Sequence, residues 1–523
     1  MRPESGRSRN FRGSNDRIRV EFADSRRDGR NARMTTHHLA IDLGAESGRL
    51  MLGTLQDGSL SLDEVHRFPT GATRVGDSLH WEMSRLFAEV RRGLEVAGRL
   101  GVPIRSVSTD SWGVDYLLIG ADGSVIEPTF HYRDPRTARG VEVAHAKAAW
   151  PEIFAESGIQ FMPLNTLYQL AAEDPGRLHR ASRLLMVGDG FNHFLSGVAR
   201  AEVTLASTSM LYNPCRRGWS EALLARLGLP GRLFPEIVAA GTRLGPLRPE
   251  LAQASGLQGV EVVASCSHDT GAAVAGVPAS GEGWGYLSSG TWSLMGLERP
   301  EPILTETARE LNFTNEIGFG DTVRLLKNIS GLWLVQECRR TWAAEGRESD
   351  YGTLARLAEQ APPFVSIIQP ADPTFLAPDG MPERIAAYCR AHGQPVPSGV
   401  GPMVRCILES LALLYRQTRE QLEAITGTRI QRLHIVGGGS QNTLLDQFTA
   451  DALQIPVLAG PVEATAAGNL LTQAYALGLL PSIQAMRDVV RGSFEVRRFE
   501  PGSPTAWDAA YARFRAQRND SAR

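Results

Sequence analysis

A strand, a turn of small residues and a second strand occur twice in this chain, and this recurrence limits the possible folds most. Residues 38–43 and 48–55 form one pair of predicted strands, and residues 285–289 and 293–298 form the other. Amphipathic helical patterns follow each pair. Strands that alternate with helices indicate an α/β fold, and two such runs indicate a duplicated unit. We therefore predict two α/β domains with a ligand cleft between them.

The predicted domain boundaries follow the composition of the chain. A length of 523 residues exceeds one ordinary hydrophobic core. Residues 1–33 hold few large apolar side chains, so we predict a disordered N-terminal extension there. The Gly, Pro, Ala and Ser residues of 276–283 indicate a linker. The predicted domains are residues 34–278 and 283–480, and residues 481–523 are a C-terminal segment predicted to pack back on the first domain and to fray at its end.

Charge and hydropathy argue against several classes of function. The formal net charge of −2 gives no electrostatic reason to bind nucleic acid or an anionic membrane. No apolar run approaches the roughly 18–20 residues of a membrane helix, and no apolar core follows the basic N-terminus as it would in a signal peptide. The 5 cysteines include no CxxC pair, so a zinc or iron–sulfur site is not expected. We expect a cytoplasmic protein.

The first candidate site is the turn within residues 40–49, AIDLGAESGR. Asp42 lies near the end of a predicted strand, where a carboxylate can hold Mg²⁺ directly or through water. The small residues that follow allow backbone N–H groups to approach phosphate oxygens closely. An ordinary β-hairpin explains the same residues, and this turn alone does not decide between the two interpretations.

Two further glycine-rich turns lie in the second half of the chain. Thr291, in SSGTWS (288–293), can offer a hydroxyl and an amide to a phosphate, although a tight turn alone also accounts for this string. Gly437, Gly438 and Gly439 follow the predicted strand 432–436. Consecutive glycines are costly in backbone entropy, and a turn at a strand end needs only one of them. Close passage over a flat ligand such as a nucleotide explains all three.

Asp269 is the candidate catalytic base. It lies in ASCSHDTG (264–271), after an apolar run and before a helix of small residues. A carboxylate at such a position can orient a substrate hydroxyl and accept its proton while a bond to phosphorus forms. The alternative is that Asp269 or Ser267 only caps the helix.

Candidate substrate contacts come from both halves. Trp112 and Gly113 stand together in TDSWGVDY (109–116), and an aromatic face beside a bare backbone suits a carbohydrate. Packing of Trp112 at the strand edge is the alternative. Asn328 can form a hydrogen bond with a substrate hydroxyl, and Gln336 lies two helical turns further along.

Together these motifs resemble those of the FGGY family of carbohydrate kinases, within the superfamily of actin-like ATPases and sugar kinases. The resemblance covers residues 36–499. The more specific strings are TDSWGVDY (109–116), HYRDPRT (131–137), GIQFMPLNTLYQL (158–170), SHDT (267–270), LSSGTWSLMG (287–296), LKNISGLWL (326–334) and HIVGGGSQNTLL (434–445).

The resemblance implies two actin-like, ribonuclease-H-like domains and the phosphorylation of L-rhamnulose at O1 by ATP with Mg²⁺. It implies that Asp269 is the base and that Asp42 holds the magnesium ion through water. The implied substrate contacts are Gly113, His268, Asp269, Thr270 and Asn328. The implied nucleotide contacts are Ala45, Glu46, Ser47, Gly48, Arg49, Thr291, Gln336 and Gly438.

Glu46 departs from the family pattern, because that loop usually carries a small residue there. An acid beside phosphates repels them unless it points away or meets Mg²⁺. One alternative function is an FGGY-type kinase for another ketose or polyol, and a second is a non-catalytic protein that senses a sugar or a nucleotide. The expected partners are a small-molecule sugar and ATP, and the expected assembly is a monomer or a weak homo-oligomer.

Overall fold

The computed structural model describes residues 35–376 and 379–520, with side chains described through residue 517. The predicted disordered extension, residues 1–33, lies outside the described residues. None of the described helices combines the length and the apolar character that a membrane crossing requires.

The first half of the chain contains the following elements in order: β1 (Thr35–Leu43), β2 (Ser47–Gln56), β3 (Ser59–Pro69), β4 (Thr73–Val75), β5 (Ser78–Trp81), α1 (Met83–Gly98), β6 (Ile104–Ser111), β7 (Tyr116–Ile119), β8 (Thr129–Phe130), α2 (Arg136–Lys147), α3 (Trp150–Ser157), α4 (Thr166–Ala171), α5 (Pro175–Arg180), β9 (Arg183–Met186), α6 (Val187–Ser196), β10 (Ala201–Glu202), α7 (Val203–Thr208), β11 (Tyr212–Asn213), β12 (Gly218–Trp219), α8 (Glu221–Leu227), β13 (Ile237–Val238), β14 (Thr242–Pro246), α9 (Pro249–Ser255), β15 (Glu261–Ala264) and α10 (Asp269–Ala275).

The second half continues with these elements: β16 (Trp284–Ser289), β17 (Trp292–Arg299), α11 (Glu306–Glu310), β18 (Thr314–Ile317), β19 (Val323–Ser330), α12 (Trp333–Ala344), α13 (Tyr351–Gln360), α14 (Met381–Ala391), α15 (Val400–Thr426), β20 (Arg432–Val436), α16 (Thr443–Leu453), β21 (Val457–Ala459), α17 (Ala464–Ala476), α18 (Ile483–Ser493), β22 (Arg497–Phe499) and α19 (Thr505–Asp520).

The two large sheets share one strand order. The first sheet runs β3-β2-β1-β6-β15-β14, and the second runs β18-β19-β17-β16-β20-β21-β22. In the first, β3, β2 and β1 are antiparallel neighbours, whereas β6 and β15 continue parallel to β1. In the second, β19, β17 and β16 are antiparallel, whereas β20 and β21 continue parallel to β16. The prediction of a duplicated α/β unit is therefore confirmed.

Helix α12, which follows the string LKNISGLWL (326–334), begins only at Trp333. Gly331 belongs to the preceding turn, because a Cβ there would lie 2.7 Å from the carbonyl oxygen of Gly290. This close approach requires glycine and delays the start of α12.

Two equivalent helices, α10 after β15 and α17 after β21, cross where the halves meet. A Cβ on Gly468 of α17 would lie 1.9 Å from the carbonyl oxygen of Ala272 in α10. A Cβ on Gly276 would lie 2.3 Å from the carbonyl oxygen of Ala464. Only glycines permit this contact between backbones. The crossing holds the ends of β1, β6 and β15 beside the second half.

Residues 481–520 contact both halves. Helix α18 lies on the first sheet, where the Ser493 hydroxyl accepts a hydrogen bond of 2.8 Å from the backbone N–H of Leu60. Strand β22 then joins the edge of the second sheet beside β21. Trp507, Tyr511 and Phe514 of α19 are buried in the core of the second half. The domain boundaries at residues 278, 283 and 480 stay predictions.

Candidate active site

Three carboxylates gather at one edge of the first sheet. Asp42 of β1 and Asp110 of β6 are direct register partners, and Asp269 follows β15. The carboxyl ends of parallel strands meet at the same edge of a sheet, which brings residues distant in sequence together. Asp110 is fully buried, whereas the Asp269 side chain is 27% exposed and lines a cavity of about 360 Å³ between the halves.

Burial, followed by the charge of Asp42, raises the pKa of Asp269 to about 7. Its Oδ1 accepts a hydrogen bond of 2.6 Å from the backbone N–H of Thr270. This N–H belongs to the first turn of α10, so Asp269 satisfies a helix N-terminal donor, and the capping interpretation and the role of a base are compatible. His268 occupies the N-cap position of α10 without a side-chain cap bond, and the Ser267 hydroxyl has no partner among the described residues.

The residues that follow β1 lie in different environments. Ala45 lines the cavity, and the backbone closes with a 3.0 Å hydrogen bond from Gly44 N–H to the Ser47 carbonyl oxygen. Gly48 lies on β2, where a Cβ would come 2.5 Å from the Phe68 ring. The Ser47 hydroxyl accepts a hydrogen bond of 3.3 Å from Arg67.

Asp42 is held by an ion pair. The Arg49 guanidinium contacts Asp42 Oδ2 at 2.9 Å and Glu463 Oε2 at 2.5 Å. Glu46 points outward instead: its side chain is 69% exposed and lies 4.0 Å from Arg340 of the second half. The expected repulsion between Glu46 and phosphates is therefore weakened by distance from the cavity and by a neighbouring cation.

In the triple-glycine turn, packing requires glycine at two positions and leaves the third free of contacts. Gly437 has a φ of +85°, and a Cβ on it would lie 3.0 Å from the Ser289 carbonyl oxygen. A Cβ on Gly439 would lie 2.0 Å from the Ser289 hydroxyl. Nothing lies within 4 Å of a Cβ on Gly438. Packing against β16 therefore accounts for two glycines, and Gly438 alone faces free space.

The predicted substrate contacts meet in one place. Gly113, His268, Thr270 and Asn328 line the cavity together with Asp269 and Thr291. A Cβ on Gly113 would lie 3.3 Å from His268 Nε2. Trp112 also lines the cavity, although it is only 6% exposed and its ring packs 4.3 Å from Trp81. Both interpretations of Trp112 therefore have a physical basis.

Gln336 does not line this cavity. It lies half-buried on α12, and its Oε1 has no hydrogen-bond partner among the described residues. A buried amide oxygen without a partner is costly, which is consistent with a ligand at this position.

Four residues near the site were not predicted from the sequence motifs, namely Gln160, Glu316, Arg324 and Asn469. Gln160 holds Asn328 from across the cleft, accepting a hydrogen bond of 2.8 Å from its backbone N–H. Asn469 of α17 donates a 2.5 Å hydrogen bond to Asp110. Glu316 and Arg324 are an ion pair of 3.1 Å. The sequence gives only a weak signal for this pair, because the strands TNEI (314–317) and VRLLKNIS (323–330) carry other polar residues as well.

No three His, Cys, Asp or Glu side chains within residues 35–376 and 379–520 are arranged to hold a metal ion by themselves. Mg²⁺ usually keeps several waters and takes only one or two carboxylates beside substrate phosphates. Asp42 provides such a carboxylate, and the buried Oδ1 of its register partner Asp110 has no protein partner among the described residues. The donor set therefore fits a hydrated divalent cation.

Comparison with known proteins agrees with this geometry. The model of the FGGY family of carbohydrate kinases, N-terminal domain, matches residues 37–276, and that of the C-terminal domain matches residues 285–477. Rhamnulokinase from Bacteroides thetaiotaomicron is 41% identical over 485 residues, covering 92% of this chain and 99% of that protein. Rhamnulokinase from Enterococcus faecalis is 40% identical over 466 residues, covering 88% and 94%.

Solved structures share the fold at lower identity. Xylulose kinase from Lactobacillus acidophilus has a TM-score of 0.79 at 15% identity, covering 93% of this chain and 98% of that one. Plasmodium falciparum glycerol kinase with ADP has a TM-score of 0.74 at 14% identity, with the same coverage of 93% and 98%. The sheets, the cleft and these matches agree, and the chain therefore belongs to the FGGY family of carbohydrate kinases, within which it is similar to rhamnulokinases.

Proposed function

We propose that this chain transfers the γ-phosphoryl group of ATP to O1 of L-rhamnulose. The observation that carries the proposal is the cavity, where a carboxyl group with a pKa of about 7 meets small-residue turns from both halves. The names of the rhamnulokinase relatives, which are 40–41% identical, support the choice of sugar.

In this proposal Asp269 is the general base. Its ionised carboxylate accepts the O1 proton while O1 forms a bond to the γ-phosphorus. The bond between the γ-phosphorus and the bridging oxygen breaks, and ADP leaves with the electron pair. A pKa of about 7 leaves the base partly ionised at neutral pH and makes it basic enough to accept a proton.

The sugar is proposed to lie among Gly113, His268, Thr270 and Asn328. Gly113 leaves room for close approach, and the three side chains offer hydrogen-bonding groups in the cavity. Part of the cavity wall is apolar and comprises Val114, Ile159, Met162 and Leu164. Such a wall suits the C6 methyl group of a 6-deoxy sugar, since burying a methyl group is favourable whereas burying an unpaired hydroxyl is costly.

The phosphates are proposed to lie between the turn of residues 45–49, namely Ala45, Glu46, Ser47, Gly48 and Arg49, and the turn at Thr291. Gly438 and Gln336 are proposed to border the rest of the nucleotide. Asp42 would hold magnesium through water. When bound, that ion would neutralise the charge of the phosphate oxygens.

The direct test is ADP release by the purified protein with Mg-ATP and a panel of L-rhamnulose, L-fuculose, L-ribulose, D-xylulose and glycerol. We expect a strong preference for L-rhamnulose. A preference for another sugar would support the alternative of a different FGGY-type kinase. ATP binding without turnover of any sugar would contradict the proposal and favour a sensing role.

We also propose a cytoplasmic location and a monomer or weak homo-oligomer. The cysteines Cys215, Cys266, Cys338, Cys389 and Cys406 are free, which is usual in a reducing compartment. Sedimentation analysis over a range of concentrations tests the assembly, and a tight dimer at the lowest concentration would contradict it.

A further inference from the structure

Arg324 is a charged residue without any exposed surface. It lies on β19 of the second half, and its side chain is 0% exposed. Its Nη2 lies 3.1 Å from Glu316 Oε2, and its Nε donates a 3.2 Å hydrogen bond to the Ile317 carbonyl oxygen. Well-packed apolar residues often stabilise a fold as much as a buried ion pair does. The stability of the β18–β19 hairpin alone therefore does not explain this arginine.

The same guanidinium reaches the loop that carries the proposed base. Nη1 donates a 3.2 Å hydrogen bond to the Thr270 hydroxyl, and Nη2 lies 3.1 Å from His268 Nδ1. A guanidinium only donates hydrogen bonds, so in this contact Nδ1 is the acceptor and carries no proton. Glu316 Oε2 also lies near Nδ1, but at the longer distance of 3.4 Å. Burial and the Arg324 charge lower the pKa of His268 well below its ordinary value. The imidazole is therefore neutral, with its proton on Nε2.

Nε2 of His268 faces the proposed base and the cavity. Nε2 lies 3.1 Å from the Thr270 hydroxyl and 3.4 Å from Asp269 Oδ1. It also lies 3.3 Å from the position of a Cβ on Gly113, at the cavity wall. A donor at this atom stabilises an ionised Asp269 or meets an oxygen of the substrate. With the proton on Nδ1 instead, Nε2 would present a lone pair to the carboxylate and repel it.

We propose that Arg324 is a positioning residue that sets the tautomer of His268 and the orientation of Thr270, on either side of the base. Arg324 belongs to the second half, whereas residues 268–270 follow β15 of the first half. The base loop is therefore complete only when the two halves are together, which ties acceptance of the sugar proton to a closed cleft. This inference rests on the proposed role of Asp269 and extends it.

The charges around Asp269 set its pKa, so removing Arg324 should change that pKa measurably. Those that face it from the neighbouring elements are Asp42, Asp110, His268, Glu316 and Arg324. Asp42 and Glu316 raise the pKa of Asp269, whereas Arg324 lowers it. Without Arg324 the pKa of Asp269 rises, and ionisation of the base requires a higher pH.

The first variant is Arg324→Met combined with Glu316→Gln, which removes both charges and leaves no buried carboxylate unpaired. Arg324→Lys is the second, because one ammonium keeps the charge but lacks the planar fork that bonds three groups at once. Nitrogen-15 NMR of labelled histidine reads the tautomer, with the His268 signals identified by their loss in His268→Gln. We expect the Nε2–H form in the unaltered protein and a mixture of tautomers in both variants.

The kinetic readout is kcat and KM for L-rhamnulose against pH. A misplaced base loop should lower kcat about tenfold to a hundredfold while leaving KM for ATP nearly unchanged. In the double variant the losses of Arg324 and Glu316 act on the pKa of Asp269 in opposite directions, and that of Arg324 is the larger. The acid limb of kcat/KM should therefore move slightly to higher pH, whereas Arg324→Lys keeps the charge and should move it less.

Arg487 is the matched control. It is a buried arginine of α18 that pairs with Glu298 at 2.7 Å and also contacts the first half, at the Val274 carbonyl oxygen. Arg487→Met with Glu298→Gln should lower thermal stability comparably but leave the His268 tautomer and the pH profile unchanged. The proposal is overturned if the Arg324 variants keep the Nε2–H form and the original acid limb, or if the control changes both. The NMR result needs no substrate, so it stands apart from a failure of the sugar assay.

Discussion

The two halves share a strand order, but their corresponding parallel strands end in different residues. In the first half β1, β6 and β15 lead to Asp42, Asp110 and Asp269. In the second half β16 and β20 lead to Ser289-Gly290 and to Gly437. Carboxylates suit proton transfer and metal binding, whereas glycine and serine turns present backbone N–H groups to phosphates. The same strand order thus supports two kinds of chemistry, and the residues at the strand ends determine which one.

Replacing the base in the first half should have the largest effect. Asp269→Asn keeps the shape of the side chain but cannot accept the proton, so kcat should fall by about 10² or more while both substrates still bind. ADP release measures kcat, and calorimetry measures binding. Asp446→Asn is the matched control from the second half, since burial raises the pKa of this carboxyl to about 8 and keeps it mostly protonated at pH 7. Near-normal turnover of Asp269→Asn would contradict the assignment of the base.

The pH dependence of kcat/KM should follow the ionisation of Asp269 in the first half. Only ionised Asp269 accepts a proton, and its pKa in the free protein is about 7. Below this value kcat/KM for the sugar should fall about tenfold for each pH unit, because the protonated form increases. Rates measured from pH 5 to pH 9 test this. A limb near the ordinary aspartate pKa would show that the carboxyl is not buried as described.

The glycine turn tests the second half and separates packing from ligand binding. Gly439→Ala should lower the free energy of unfolding by about 1–3 kcal/mol, because its Cβ meets Ser289 and the packing must shift. Gly438→Ala has free space for its Cβ and should leave stability nearly unchanged while raising KM for ATP. Thermal unfolding and ATP kinetics on both variants make the comparison. Equal effects of the two substitutions on KM would argue against a nucleotide beside Gly438.

The smallest effect is expected where the halves approach each other at the rim of the cleft. Glu46 is 69% exposed and lies 4.0 Å from Arg340. An exposed ion pair at this distance contributes about 0–1 kcal/mol, so Glu46→Ser should change the melting temperature little and KM for ATP by less than about threefold. Arg340→Ser serves as the control for the partner. A large fall in KM for ATP would show that Glu46 repels the phosphates after all.

Most of the secondary structure near the site could be predicted from the sequence. The strand predicted at 432–436 is found as Arg432–Val436, and the strands predicted at 38–43 and 48–55 lie within β1 and β2. These elements depend on local features, namely alternating or continuous apolar runs and turn residues with positive φ. The motif strings likewise identified the family correctly, because they are contiguous along the chain.

The contacts that tune the site depend on residues far apart in the chain. Arg324 meets His268, and Asn469 meets Asp110, only after two sheets have formed and the helices α10 and α17 have crossed through their glycines. The pKa of Asp269 depends on its burial and on its proximity to Asp42, and contiguous residues show neither. Local sequence determines which elements form and which side chains lie at their ends. Packing of the two halves determines the charge and orientation of those side chains, because electrostatic energies depend on distance and on exclusion of water.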